Sequence, residues 1–98
     1  MSLGLAFLRA ARREFDDAAD WYEHRRAGLG DVFTTAVRQV LDRIVNQPRL
    51  YAKVFQDARE APVPRYPYCV YYREEADQIL VLAVFHTSRD PSVWQGRV

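Results

Sequence analysis

Seven consecutive apolar residues, ILVLAVF at 79–85, constrain the fold of this 98-residue chain more than any other stretch. Because neither face of such a segment would carry a polar side chain, it is predicted to be a central strand buried on both sides. One face is then expected to pack against helices. The other face needs cover, either from the C-terminal residues 91–94 or from a partner protein.

Two amphipathic helices are predicted ahead of this strand. Apolar side chains recur at a spacing of three and four residues over 9–26, and again over 32–45. Gly28 and Gly30 interrupt the first pattern, and Pro48 ends the second, since proline disfavours helical geometry at the preceding residue. Two helices joined by a short glycine-containing loop form a helical hairpin.

Short strands are predicted on both sides of this hairpin. LGLAFL at the start reads as a strand, and LYAKVF, REAPVP and YCVYYR precede the long apolar run, with EEADQ as a hairpin connection. Alternation places Tyr66, Tyr68, Val70 and Tyr72 on one face of their segment, and Cys69 and Tyr71 on the other. The predicted fold is α+β: an N-terminal strand and a two-helix hairpin packed on a small, three- to five-stranded antiparallel sheet, as a single domain over residues 1–98.

The composition and charge of the chain argue against several classes of function. The net charge is +1, so no strong overall field draws the chain to nucleic acid, and no apolar run or signal-peptide pattern predicts a membrane segment. A single cysteine, Cys69, cannot form a disulfide within the chain, and we expect a cytoplasmic protein. His24, His86 and Cys69 do not compose a metal site, and the segment GLG at 28–30 lacks the spacing of a phosphate loop. Neither a metal, a cofactor nor a small-molecule substrate is predicted.

Four segments, in this order and at these separations, resemble a known family. They are DWYEHRRAGLGDVF (20–33), NQPRLY (46–51), RYPYCVYYR (65–73) and ILVLAVFHTSRDPSVW (79–94). Together they are similar to the RelE/ParE superfamily of toxins from bacterial type II toxin–antitoxin systems. The resemblance is greatest to the ParE-like branch, whose members are often labelled plasmid stabilisation proteins.

The resemblance implies one of two targets. ParE-like members inhibit DNA gyrase by binding it, whereas RelE-like members enter the ribosomal A site and cleave messenger RNA. Ribonuclease members carry an arginine within the third strand of the second half, where this chain has Tyr68 and Cys69. His86 does match a position at which several of them place a catalytic side chain. Under that alternative Arg89 would hold a phosphate, with help from Arg65.

The favoured hypothesis is therefore a gyrase-directed toxin without chemistry of its own. The alternatives are a messenger RNA endonuclease that uses His86 and Arg89, and a non-toxic member that only binds antitoxin. All three predict a cognate antitoxin as partner, docked by strand addition or as a helix in a groove.

Structural roles compete with each of these functional roles. His86 could be a strand-end residue hydrogen-bonded to the backbone or to Asp90, and Arg89 to Pro91 could form a turn that starts a short helix. Trp94 could stack on a base or cover the open face of the sheet; we expect cover. Trp21 and Tyr22 are also expected to be packing residues, while the exposed side of the hairpin is a plausible surface for gyrase.

Overall fold

A computed structural model describes residues 3–98; Met1 and Ser2 lie outside the described residues. The elements follow in the order β1 (Gly4–Phe7), α1 (Arg9–Arg25), α2 (Leu29–Asn46), β2 (Lys53–Phe55), β3 (Ala58–Pro62), β4 (Tyr68–Glu74), β5 (Gln78–His86) and α3 (Ser92–Gln95). This succession confirms the predicted α+β class, the helical hairpin and the change from helical to strand periodicity near residue 50.

The five strands form one sheet in the order β1-β5-β4-β3-β2. Four of them pair in antiparallel fashion along the chain, but β1 pairs with β5 in parallel. Periodicity reports which side chains share a face and carries no information on strand direction, so the sequence did not predict this parallel edge. As expected, β5 is an interior strand: every residue from 81 to 85 is buried.

The helical hairpin covers one face of the sheet. Phe15 and Phe33 lie between the helices with their ring centroids 6.2 Å apart, and Tyr22 stacks on Phe33 at 5.0 Å. The buried residues from the sheet that complete this core are Ala61, Val63, Val70, Tyr72, Ile79, Val81 and Val84. The predicted alternation in β4 is confirmed, because Val70 and Tyr72 lie in this cluster while Cys69 and Tyr71 lie in the opposite one.

The opposite face is covered by the C-terminal segment, which was one of the two expected solutions. Trp94 of α3 is 2% exposed. Its ring stacks on Tyr71 at 3.9 Å and meets Phe55 edge-on at 5.9 Å. A buried, stacked indole contributes a large apolar area, so Trp94 acts here as packing cover.

A β-bulge interrupts the alternation of side chains along β5, whose two faces are both covered. Tyr71 pairs with Ala83, but Tyr72 pairs with Val81, so Leu82 is an extra residue in β5. As a result Leu82 and Ala83 both belong to the cluster under Trp94, while Val81 and Val84 belong to the helix side. Strict alternation would have placed Leu82 and Val84 on the same face.

Candidate functional site

A groove of about 460 Å³ lies where β5 ends beside α1 and the start of β4. It contains two of the three predicted site residues, His86 and Arg89, because His86 is the last residue of β5 and Arg89 follows it after a turn. Its walls are aromatic, acidic and aliphatic: Glu14, Asp17, Ala18, Trp21, Tyr22, Pro67, Tyr68 and Val84. We call it the His86 groove.

The imidazole of His86 is held by the turn that follows it. Its Nδ1 accepts a hydrogen bond from the Ser88 backbone N–H at 3.0 Å, and the Ser88 Oγ lies 2.8 Å from the same atom. Since a backbone N–H only donates, Nδ1 carries a lone pair and the proton of the neutral ring sits on Nε2. The ring also packs edge-on against Tyr68 at 5.1 Å. Of the two structural partners expected for His86, the backbone is the one observed.

Arg89 already has a counter-charge inside the protein. Its Nη1 donates to Glu14 Oε2 at 2.9 Å, and its guanidinium lies 4.3 Å from the centroid of the Phe85 ring. This pairing partly neutralises the charge of Arg89, although Nε and Nη2 form no hydrogen bond within the described residues and can still donate to a second anion. The next residue forms the turn before α3: Asp90 Oδ1 accepts from the Ser92 N–H at 3.0 Å, and this bonding lowers the pKa of Asp90. The predicted turn is therefore present.

Glu14 closes an open edge of the sheet. Strand β1 is shorter than β5, and its last backbone bond to β5 comes from the Leu8 N–H to the Val81 carbonyl. Beyond that point the Val84 N–H donates to Glu14 Oε1 at 3.2 Å, and Arg97 Nη1 donates to the Leu82 carbonyl at 3.0 Å. Arg97 also pairs with both carboxylate oxygens of Glu14, at 2.9 Å each. One carboxylate thus joins α1, β5 and the C-terminal segment.

The role of Glu14 was not predicted from the sequence, although its position on the apolar face of α1 indicated one. Glu14 lies three residues after Ala11 and four before Ala18, both of which are buried residues of α1. A charged residue within an apolar helical stripe needs a partner, since a buried charge without one is costly. No comparable signal marks Arg97, whose role depends on where the C-terminal segment folds back.

Arg65, the third predicted site residue, lies elsewhere. It lines a separate groove of about 940 Å³ along α2, together with Val32, Val40 and Tyr66. The backbone there forms a turn closed by the Tyr66 N–H on the Val63 carbonyl, with Arg65 at a φ of 71°. Pro64 before it and the positive φ at Arg65 are features of a type II turn. The structure therefore does not bring Arg65 into the His86 groove.

The positions in β4 that match the ribonuclease arginine hold no cation. Tyr68 lies in the His86 groove, where burial raises the pKa of its hydroxyl, the neighbouring Tyr22 adds to the rise, and Arg89 partly offsets it. Cys69 points to the opposite face and is buried, which raises the pKa of its thiol. Tyr68 is therefore a neutral hydrogen-bond donor at neutral pH, and the fixed positive charge in this groove comes from Arg89.

The glycine loop between the helices is occupied by the protein itself. The Glu23 carboxylate accepts from the N–H groups of Gly28 at 3.0 and 3.1 Å and of Gly30 at 3.0 Å, and these bonds lower the pKa of Glu23. Gly28 has a φ of 93°. A Cβ at Gly30 would lie 2.8 Å from the Ala19 carbonyl oxygen. The loop closes the hairpin, and its N–H groups are not free to bind a phosphate.

Residues 3–98 contain neither a cluster of metal-binding side chains nor a helix able to span a membrane. No three or more histidine, cysteine, aspartate or glutamate side chains in this range lie close enough together to hold a metal ion. Within the same range, none of the helices combines the length and the apolar character needed to cross a membrane.

Comparison with known proteins assigns the family. No match was found among curated protein sequences. A solved chain from the chromosomal ParDE TA system from P. aeruginosa has the same fold: its TM-score is 0.64 at 15% identity, over 87% of this chain and 96% of that chain. The family model for the ParE toxin of the type II toxin–antitoxin system parDE matches residues 5–91, which is most of the sequence. The chain therefore belongs to the ParE toxin family.

Proposed function

We propose that this chain is a toxin that inhibits DNA gyrase by binding to it, and that a cognate antitoxin neutralises it. The observation that carries the proposal is the pairing of Arg89 with Glu14 and Phe85, in a groove whose β4 positions supply no other cation. Phosphoryl transfer in RNA needs positive charge aimed at the phosphate as negative charge develops. In the His86 groove the one arginine is partly neutralised by Glu14 and the β4 positions hold no cation, which favours action by binding over action by chemistry.

An RNA-cleaving activity is the second candidate, and the His86 groove is the observation in its favour. His86 lines the same groove as Arg89 and Tyr68, and the proton of its neutral ring lies on Nε2. Such a set could supply a proton to a leaving group while Arg89 donates to the phosphate through the nitrogens that Glu14 leaves free. This mechanism would depend on a single arginine that is already paired with a carboxylate, whereas the binding mechanism needs no cation at this position.

A paired assay of a single protein preparation separates the two functions. We expect the purified chain to inhibit supercoiling by gyrase, or to trap gyrase-cleaved DNA, and to leave messenger RNA intact in a translating extract. Unchanged gyrase activity together with A-site cuts that disappear in His86→Ala would refute the proposal in favour of the endonuclease.

Matched variants make the assay specific. Lys53→Ala removes an exposed cation of β2 that lies outside the hairpin and lines neither groove, so beside Arg89→Ala it controls for the loss of one surface charge. Induced expression in cells that lack an antitoxin tests the third possibility. Normal growth, with both purified assays negative, would identify a non-toxic member that retains only antitoxin binding.

A further inference from the structure

A third groove, of about 520 Å³, adjoins the His86 groove at Glu14, Asp17 and Arg89. It runs past the N-terminal part of α1 towards the C-terminal segment. Its lining contains four arginines and two carboxylates, with a single alanine: Arg9, Arg13, Arg89, Arg97, Glu14, Asp17 and Ala10. We call it the arginine groove.

Its charges are not balanced within the protein. Arg89 and Arg97 share the one carboxylate of Glu14. Arg9 and Arg13 form no ion pair with any residue of the described range 3–98, in which the nearby pair on α1 is Arg12 with Asp16. Four arginines against two carboxylates leave the lining with a net charge of +2. Both unpaired arginines are exposed.

The position of these arginines does not serve the stability of the helix. The first turn of α1 contains no acidic residue, and its N-cap residue Leu8 provides no side-chain hydrogen bond. The positive end of a helix dipole lies at this terminus, so Arg9 in the first turn is unfavourable there, and Arg13 in the next turn gains nothing from the dipole. An external anion would relieve this repulsion, and helix stability therefore does not account for them.

We propose that the arginine groove binds an extended acidic segment of a partner protein. Alternate side chains of an extended peptide lie roughly 7 Å apart on one side, so separate carboxylates can each meet one guanidinium in bidentate fashion. A continuous phosphate backbone fits less well, because the net charge of the chain is only +1 and provides no extended positive field along which such a polyanion would bind. The partner that we expect to carry this segment is the antitoxin, and in that respect alone the inference rests on the proposed function.

Direct binding of a labelled peptide tests the inference without gyrase or antitoxin. The probe is a fluorescent ten-residue peptide in which glutamate alternates with serine, and its anisotropy is followed as the full chain is added. We expect saturable binding that weakens as sodium chloride is raised, and no binding of the same peptide with glutamine in place of glutamate.

Charge reversal of the unpaired arginines gives the decisive comparison. Arg9→Glu places a carboxylate in the favourable first turn of α1, whereas Arg13→Glu adds a negative charge four residues before Asp17, so the thermal unfolding of this variant is measured beside its binding to confirm that it is folded. It should bind the peptide at least about tenfold more weakly, since two bidentate contacts become repulsive. Arg26→Glu with Arg38→Glu makes the same change in net charge at exposed positions outside the groove and should keep most of the affinity.

Two results would overturn the inference. Equal losses in both double variants would show that only the overall charge matters. A single-stranded RNA or DNA decamer that binds more tightly than the peptide, with the same dependence on Arg9 and Arg13, would assign the groove to nucleic acid. Neither result bears on gyrase inhibition, which is measured separately, so failure here and failure of the proposed function are distinguishable.

Discussion

Glu14→Gln should destabilise the fold far more than the change of one helix residue on a protein surface usually does. The carboxylate receives three kinds of donor: the Val84 N–H at the open edge of β5, both terminal nitrogens of Arg97, and Nη1 of Arg89. Its side chain is only 12% exposed. The glutamine side chain retains a carbonyl that can accept from Val84, but its amide group cannot replace the second carboxylate oxygen.

The magnitude follows from the environment of each lost interaction. The bidentate pair with Arg97 is largely withdrawn from water, and a hydrogen-bonded interaction with a charged group in such a place contributes about 1.5–3 kcal/mol. The pair with Arg89 is half in solvent and adds about 0.2–1 kcal/mol. We therefore expect a loss of about 2–3 kcal/mol in the free energy of unfolding. For a domain of this size that corresponds to a fall in Tm of roughly 10–20 °C.

Urea denaturation followed by circular dichroism measures this loss. Asp16→Asn is the matched control, because it removes one carboxylate two residues further along the same helix from an exposed pair with Arg12. We expect the control to cost no more than about 0.5 kcal/mol. A double-mutant cycle with Arg97→Gln should give a coupling energy above about 1 kcal/mol. If Glu14→Gln costs no more than Asp16→Asn, the carboxylate is effectively solvated and its role in closing the sheet edge is refuted.

Two further predictions concern the two faces of the sheet. Trp94→Ala should lower the free energy of unfolding by about 3–5 kcal/mol in urea denaturation. Trp94→Phe should cost clearly less, since it also removes an indole N–H that has no hydrogen-bond partner among the described residues; equal costs would contradict this. On the helix face, burial raises the pKa of Tyr72 to about 12, and its hydroxyl donates to the Pro48 carbonyl. A raised pKa favours the protonated phenol in the folded state, so stability should be lost between about pH 10 and pH 12, and Tyr72→Phe should reduce that loss in an alkaline titration followed by circular dichroism. An unchanged pH dependence in this variant would contradict the assignment.

Those parts of the fold that depend on local periodicity could be predicted from the sequence. The helical hairpin follows from apolar spacing and from Gly28 and Pro48, because these signals act within a few residues. The alternation of Val70 with Tyr71 similarly assigned the two faces of β4. The parallel pairing of β1 and the extra residue Leu82 in β5 were beyond such reasoning, because strand direction and bulges are decided by contacts between segments distant in the chain.

The candidate site was predicted only in part, for a related reason. His86 ends β5 and Arg89 follows it by three residues, so the sequence alone predicts that the two side chains lie close together. Arg65 is distant from both in the chain, and only the three-dimensional arrangement shows that it lines another groove. The partners that decide the chemistry, Glu14 and Arg97, are 83 residues apart. Pairing at that separation leaves no local pattern, apart from a carboxylate within an apolar helical stripe.

The long-range pairing of Glu14 also bears on how a toxin of this family could bind and still avoid catalysis. A nuclease site at the end of β5 would need Arg89 to approach a phosphate freely, whereas the short β1 leaves backbone groups of β5 that Glu14 and Arg97 must satisfy. Arg97 satisfies them together with Glu14, whereas Arg89 adds a half-exposed pair to the same carboxylate. Binding through exposed residues such as Trp21 involves none of these contacts, since that side chain is 52% exposed and packs against Tyr22 and Arg25 of its own helix. Arg97 is therefore committed to the fold and Arg89 is partly neutralised, which leaves the His86 groove without a free arginine for RNA cleavage.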